Sequence, residues 1–173
     1  MKLFLACCLI FIGLAACTPS EDSLESLFGI KHNVVVLASS ALELSPAEVS
    51  FTPSTEAEAV GEESSVCAVL AGGVSVKDSD NEVQRLLNGA TLDATVTTSD
   101  GATHEFKCQS SRWALSGRVV PSNEIAACVQ PSCSRQAIPI GSKVRSIAIS
   151  STAPVHALGI YWASSSASDR DRK

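Results

Sequence analysis

Cysteines, histidines, clustered glutamates and abundant serines are the residues with which this chain could do chemistry. Each demands its own spacing. A zinc protease needs a second histidine four residues after the first, with a glutamate beside that first one. His104-Glu105 lacks that second histidine, and adjacent strand residues face opposite ways. His32 precedes a strand, and His104 and His156 alternate with apolar neighbours. Both read as hydrogen-bonded histidines at a core margin. The 27 serines form neither a Gly-x-Ser-x-Gly elbow nor a Ser-x-x-Lys pair. Asp78 to Glu82 starts like a calcium loop, but Val83 replaces the glycine and Gly89 the final acid. Glu56, Glu58, Glu62 and Glu63 cluster in what reads as a solvated loop, not as two carboxylates flanking a glycosidic bond. Tyr161 and Trp162 are the candidates for stacking on a sugar ring. In a regular strand they face opposite sides, so one ring is expected outward. No catalytic residue, metal ligand set or cofactor site is assigned.

The N-terminus carries a different signal. Met1-Lys2 is followed by an apolar run from Leu3 to Ala16, the pattern of a secretory signal peptide. The run is shorter than the roughly 18–20 residues of a spanning helix. It ends in Leu14-Ala15-Ala16-Cys17, which resembles the lipobox of bacterial lipoproteins. The resemblance covers the first 17 residues. It implies cleavage before Cys17 and acylation of its thiol, with the membrane as a partner through that lipid. Thr18 stands where an Asp would retain many lipoproteins at the inner membrane, so the outer membrane is the expected location in the cell envelope.

Cys7 and Cys8 fall in the segment to be removed. Cys67, Cys108, Cys128 and Cys133 remain, an even set in an exported chain, and read as two disulfides. Three pairings exist. Alternation favours Cys67 with Cys108, both inward, leaving Cys128 with Cys133 across a short loop. A four-cysteine zinc site would want two tight pairs, and only one is present.

Composition bounds the class. The chain has 173 residues, 45% hydrophobic and 18% charged, with a net charge of −5. That is one domain with enough apolar matter for a core. It has no basic patch for nucleic acid.

The domain reading is a signal peptide over 1–16, an anchor and tether over 17–30, a β-sandwich over 31–163 and a flexible tail over 164–173. Val34 to Leu37 reads as a strand buried on both faces. Ala41 to Leu44, Val49 to Phe51, Val66 to Val76 and Trp113 to Val120 are further strands. Residues 52–65 read as a mobile acidic loop and 79–89 as a helix stopped by Gly89. Leu92 to Cys108 forms a hairpin about Ser99-Asp100-Gly101. Residues 121–139 read as a connection, and 144–150 with 155–163 as a last strand pair. Together these predict a mainly β fold: an antiparallel β-sandwich, jelly-roll-like, with one short helix, or else a small β-barrel.

With that anchor, the expected function is a non-enzymatic envelope lipoprotein that binds another envelope protein. Glycan or peptidoglycan binding through Tyr161 and Trp162 is one alternative. Inhibition of a hydrolase such as lysozyme is another.

Overall fold

Alternation and β-branched runs set most of the elements. The computed structural model describes residues 32–71, 79–112, 124–131 and 138–166. Within them lie β1 (His32–Ala38), β2 (Leu42–Leu44), β3 (Val49–Phe51), β4 (Glu63–Ala71), α1 (Ser79–Leu87), β5 (Leu92–Thr98), β6 (Thr103–Phe106), β7 (Cys108–Arg112), β8 (Glu124–Gln130), β9 (Val144–Ser151), β10 (Val155–Ala157) and β11 (Gly159–Ser165). The expected signal peptide and tether, Cys17, Cys133, the strand expected over 113–120 and the charged end of the expected tail lie outside the described residues.

The strands form an antiparallel β-sandwich. One sheet has the order β1-β11-β4-β8-β7, the other β3-β9-β5-β6, and a ribbon of β10 and β2 stands beside them. Alternation on β5 sends Leu92, Ala94, Val96 and Thr98 inward, where Phe106, Ile147 and Ile149 join them. The five-stranded sheet supplies Val35, Trp162, Ile160, Val66, Ala68 and Val129 to the same core. Phe106 and Trp162 meet across it, ring centroids 6.2 Å apart and tilted by 55°, a spacing and tilt favoured between aromatic quadrupoles. Val83 and Leu87 of α1 also pack there. The helix stops as Gly89 predicts, with Asn88 at φ 50° and Gly89 at φ 80°.

The five-stranded sheet is apolar on its other face as well. Cys67, Val69, Ala126, Cys128, Tyr161 and Ala163 form a second buried cluster there. This explains the unbroken apolar runs of β4, β8 and β11.

Several expectations are corrected. Val34 to Leu37 lies in β1, an edge strand in which only Val35 is fully buried. Residues 124–130 are not a connection: β8 pairs with β4 along six residues and is buried from Ile125 to Val129. The flanking Pro121 and Pro131 mask that strand in the sequence. The last strands do not pair with each other. β9 lies in the four-stranded sheet, β10 pairs with β2, and β11 lies in the five-stranded sheet. The hairpin partner of β5 ends at Phe106, after which the chain crosses to the other sheet as β7. Ser164 and Ser165, expected in the tail, belong to β11, and Ser164 is buried.

Candidate functional site

Residues 52–65 supply the clearest local surprise. Instead of a mobile loop, residues 56–61 are clamped at one end of the sandwich. Asn33 Nδ2 donates to the Glu56 carbonyl at 3.2 Å, and the Glu58 N–H donates to Asn33 Oδ1 at 2.9 Å. The side-chain amide thus satisfies one backbone acceptor and one backbone donor, as a neighbouring strand would.

The other side of the segment pairs with residues 141–144. The Ala59 N–H donates to the Ser142 carbonyl at 3.0 Å, the Gly141 N–H to the Ala59 carbonyl at 2.7 Å, and the Val144 N–H to the Ala57 carbonyl at 2.7 Å. Ala57 and Ala59 are buried, and Trp162 Nε1 donates to the Glu58 carbonyl at 3.4 Å. Alternation of small buried residues with Glu56 and Glu58 was the missed signal: the glutamates mark the outer side of a strand-like segment.

This platform carries a turn. The Ser142 N–H donates to the Pro139 carbonyl at 3.0 Å, and Gly141 takes φ 88°, a conformation suited to glycine in a tight turn. Ile140 at its tip is 66% exposed, the most exposed of the large hydrophobic residues described. The platform and its flank carry the exposed Glu56, Glu62 and Glu63, and the Ser99 N–H donates to the Lys143 carbonyl at 2.9 Å, which brings the exposed Asp100 to the same end. Lys143 pairs with Glu56, which holds the ammonium pKa above its usual value. Asp100 accepts from Thr98 Oγ1 at 2.5 Å and from the Ala102 N–H at 3.1 Å, and both bonds hold its carboxyl below the usual range. His32, where the described chain begins, lies at this same end, opposite Ser165.

Tyr161 and Trp162 do face opposite sides, but both are 0% exposed. Because β11 is central in a sheet buried on both faces, neither ring is outward, and neither offers a stacking surface for a sugar. The Tyr161 hydroxyl lies 4.0 Å from Cys128 Sγ.

Cys67 bonds to Cys128, not to Cys108. The two stand opposite each other on neighbouring strands, whereas β7, with Cys108, is one strand further away. This also removes the expected Cys128–Cys133 bond. Cys108 is itself disulfide-bonded, to a residue outside the described ones.

His156 is exposed rather than at a core margin, because β10 turns Val155 and Ala157 inward. His104 is on the core side of β6, opposite Val96. Its Nε2 is buried without a hydrogen-bond partner from the protein, and so is Nε2 of Gln109. Among the described residues no group of three or more His, Cys, Asp or Glu could hold a metal ion. None of their helices is long and apolar enough to cross a membrane.

No protein-family model, curated protein or solved structure matches this chain.

Proposed function

We propose that this chain is a lipid-anchored protein of the bacterial envelope whose β-sandwich binds another envelope protein, without catalysis, through the end that carries Ile140. The observation that carries the binding surface is Ile140 itself, an apolar side chain held outward on a hydrogen-bonded turn. An exposed apolar residue on a hydrogen-bonded turn, at an end that also carries charge, suits a partner pocket, since well-packed central anchors with polar rims carry most interface energy. The exposed acids at this end favour a partner with a basic rim.

Export and anchoring rest on other support. The apolar leader ends in Leu14-Ala15-Ala16-Cys17, with a cysteine at the position where the lipid is attached. The Cys67–Cys128 disulfide fits an oxidising compartment outside the cytoplasm. Several acyl chains on one cysteine would hold the protein stably, where one chain would not.

Two measurements test the reading. Metabolic labelling with a fatty-acid analogue should tag the wild type and fail on Cys17→Ser; tagging that survives the substitution removes the anchor. Cross-linked affinity purification from the envelope should recover one near-stoichiometric protein. Ile140→Asp should lose it. A partner retained equally by both chains would move the binding surface elsewhere, and recovery of a secreted hydrolase instead would make the protein an inhibitor.

A further inference from the structure

Among the described residues the two sheets of the sandwich have four edge strands, β1 and β7 in one and β3 and β6 in the other. Exposed edges are templates for unwanted pairing, and proteins blunt them by shortness, charge or irregularity. β3 has three residues. β6 has four, and its Glu105 pairs with Lys107 at 2.8 Å. β7 has five and ends in Arg112. β1 is the exception: seven residues, His-Asn-Val-Val-Val-Leu-Ala, with no Lys, Arg, Asp, Glu or Pro. Its one irregularity is a register shift between Val36 and Ala38, beyond the regular stretch.

The register shows which backbone groups of β1 face out. Cys67 and Cys128 are direct partners with Cα atoms 4.0 Å apart, the close, non-hydrogen-bonded kind of antiparallel pair. Both backbone groups of Cys67 therefore point to β11, making Cys67 with Tyr161 a hydrogen-bonded pair. Tyr161 then points away from β1, and its partner Val36 points away from β11. Val34, two residues earlier, does the same. Their N–H and C=O groups form the outer row of the edge, and Val36 is 46% exposed beside it.

We infer that β1 is a self-association edge, pairing antiparallel with β1 of a second copy. A two-fold axis through Val35 sets Val34 opposite Val36 of the second copy, and Val36 opposite its Val34. The outward groups then meet as two hydrogen-bonded pairs, and the two five-stranded sheets become one. The valines remain on matching faces, where β-branched cross-strand neighbours pack well. No charge on β1 opposes its own copy. An edge this short buries less than a stable standard interface, so the dimer is weak and concentration-dependent. The pairing needs neither the lipid anchor nor the Ile140 surface.

Sedimentation velocity on the full chain in density-matched detergent tests it. The wild type is expected to pass from monomer to dimer as concentration rises, with increasing hydrogen-exchange protection confined to residues 32–38. Val36→Pro removes an outward N–H but no bond to β11, a place where an edge strand tolerates proline. It should remain folded and monomeric. Val36→Lys, which adds the missing charge without a backbone change, should do likewise and serves if the proline variant does not fold. A wild type that stays monomeric at every concentration overturns the inference, whether or not a different protein binds the edge. So does a dimer that persists in a folded Val36 variant.

Discussion

Cys67 and Cys128 face each other directly across β4 and β8, joined by a disulfide that lies within a buried apolar cluster. Sixty-one positions separate them in sequence. The bond therefore removes a large loop's freedom from the unfolded chain, worth about 4 kcal/mol in the chain-entropy treatment. Replacing both cysteines by alanine should lower unfolding free energy by up to that amount, read from urea denaturation. A loss under about 1 kcal/mol would show that the unfolded chain is already restrained. Peptide mapping of the oxidised protein should recover Cys67 with Cys128. If the leader is cleaved and Cys17 acylated as proposed, it should also recover Cys108 with Cys133, the one cysteine then left.

Gly61 is a second point of leverage. A Cβ there would lie 2.2 Å from the Ser165 carbonyl oxygen and 2.3 Å from Ser166 Cα, both backbone atoms. Gly61→Ala must push the platform away from β11, at a cost of about 3 kcal/mol. Gly101→Ala is the matched control. It meets nothing within 4 Å but takes φ +88°, so only backbone strain is felt, about 1–2 kcal/mol. The two urea midpoints should rank in that order.

The exposed charges predict a pH dependence with a definite sign. Asp100 is held below its ordinary pKa by its bond from Thr98, then by that from the Ala102 N–H. Its contribution to stability is present above the unfolded carboxyl pKa, about 4, and is lost as pH falls through the lower folded value. Thr98→Val should move the Asp100 carboxyl titration upward by NMR, and an unmoved titration would exclude the hydroxyl as its cause. Lys107 and Lys143 are raised above 10.5 by their bonds to Glu105 and Glu56. Their contributions are present below that value and fade as pH rises through the folded pKa values.

Local pattern carried the sequence reading well where a strand or helix buries one side. β5 alternates cleanly, β3 falls on the expected residues, and α1 ends at the expected glycine. It failed where burial is two-sided. Glu124–Gln130 has no alternation because both its faces are covered, and prolines flank it, so it resembled a connection. The same cause buried Tyr161 along with Trp162. The disulfide pairing depends on which strands are neighbours, a long-range fact that inward-facing parity cannot supply. The platform at 56–61 was hidden for a subtler reason. Its glutamates dominate its composition, while its order comes from Asn33 and from backbone bonds to residues 141–144.

The first and last described strands are neighbours, with His32 opposite Ser165. Closing that contact requires nearly the whole domain to be at hand, and such non-local pairing makes folding slow. If the chain leaves the cytoplasm by threading, as proposed above, slowness is useful. The sheet could not seal until its C-terminal strand had emerged, so the polypeptide would stay loose during transit and lock only on the far side, where its cysteines could oxidise.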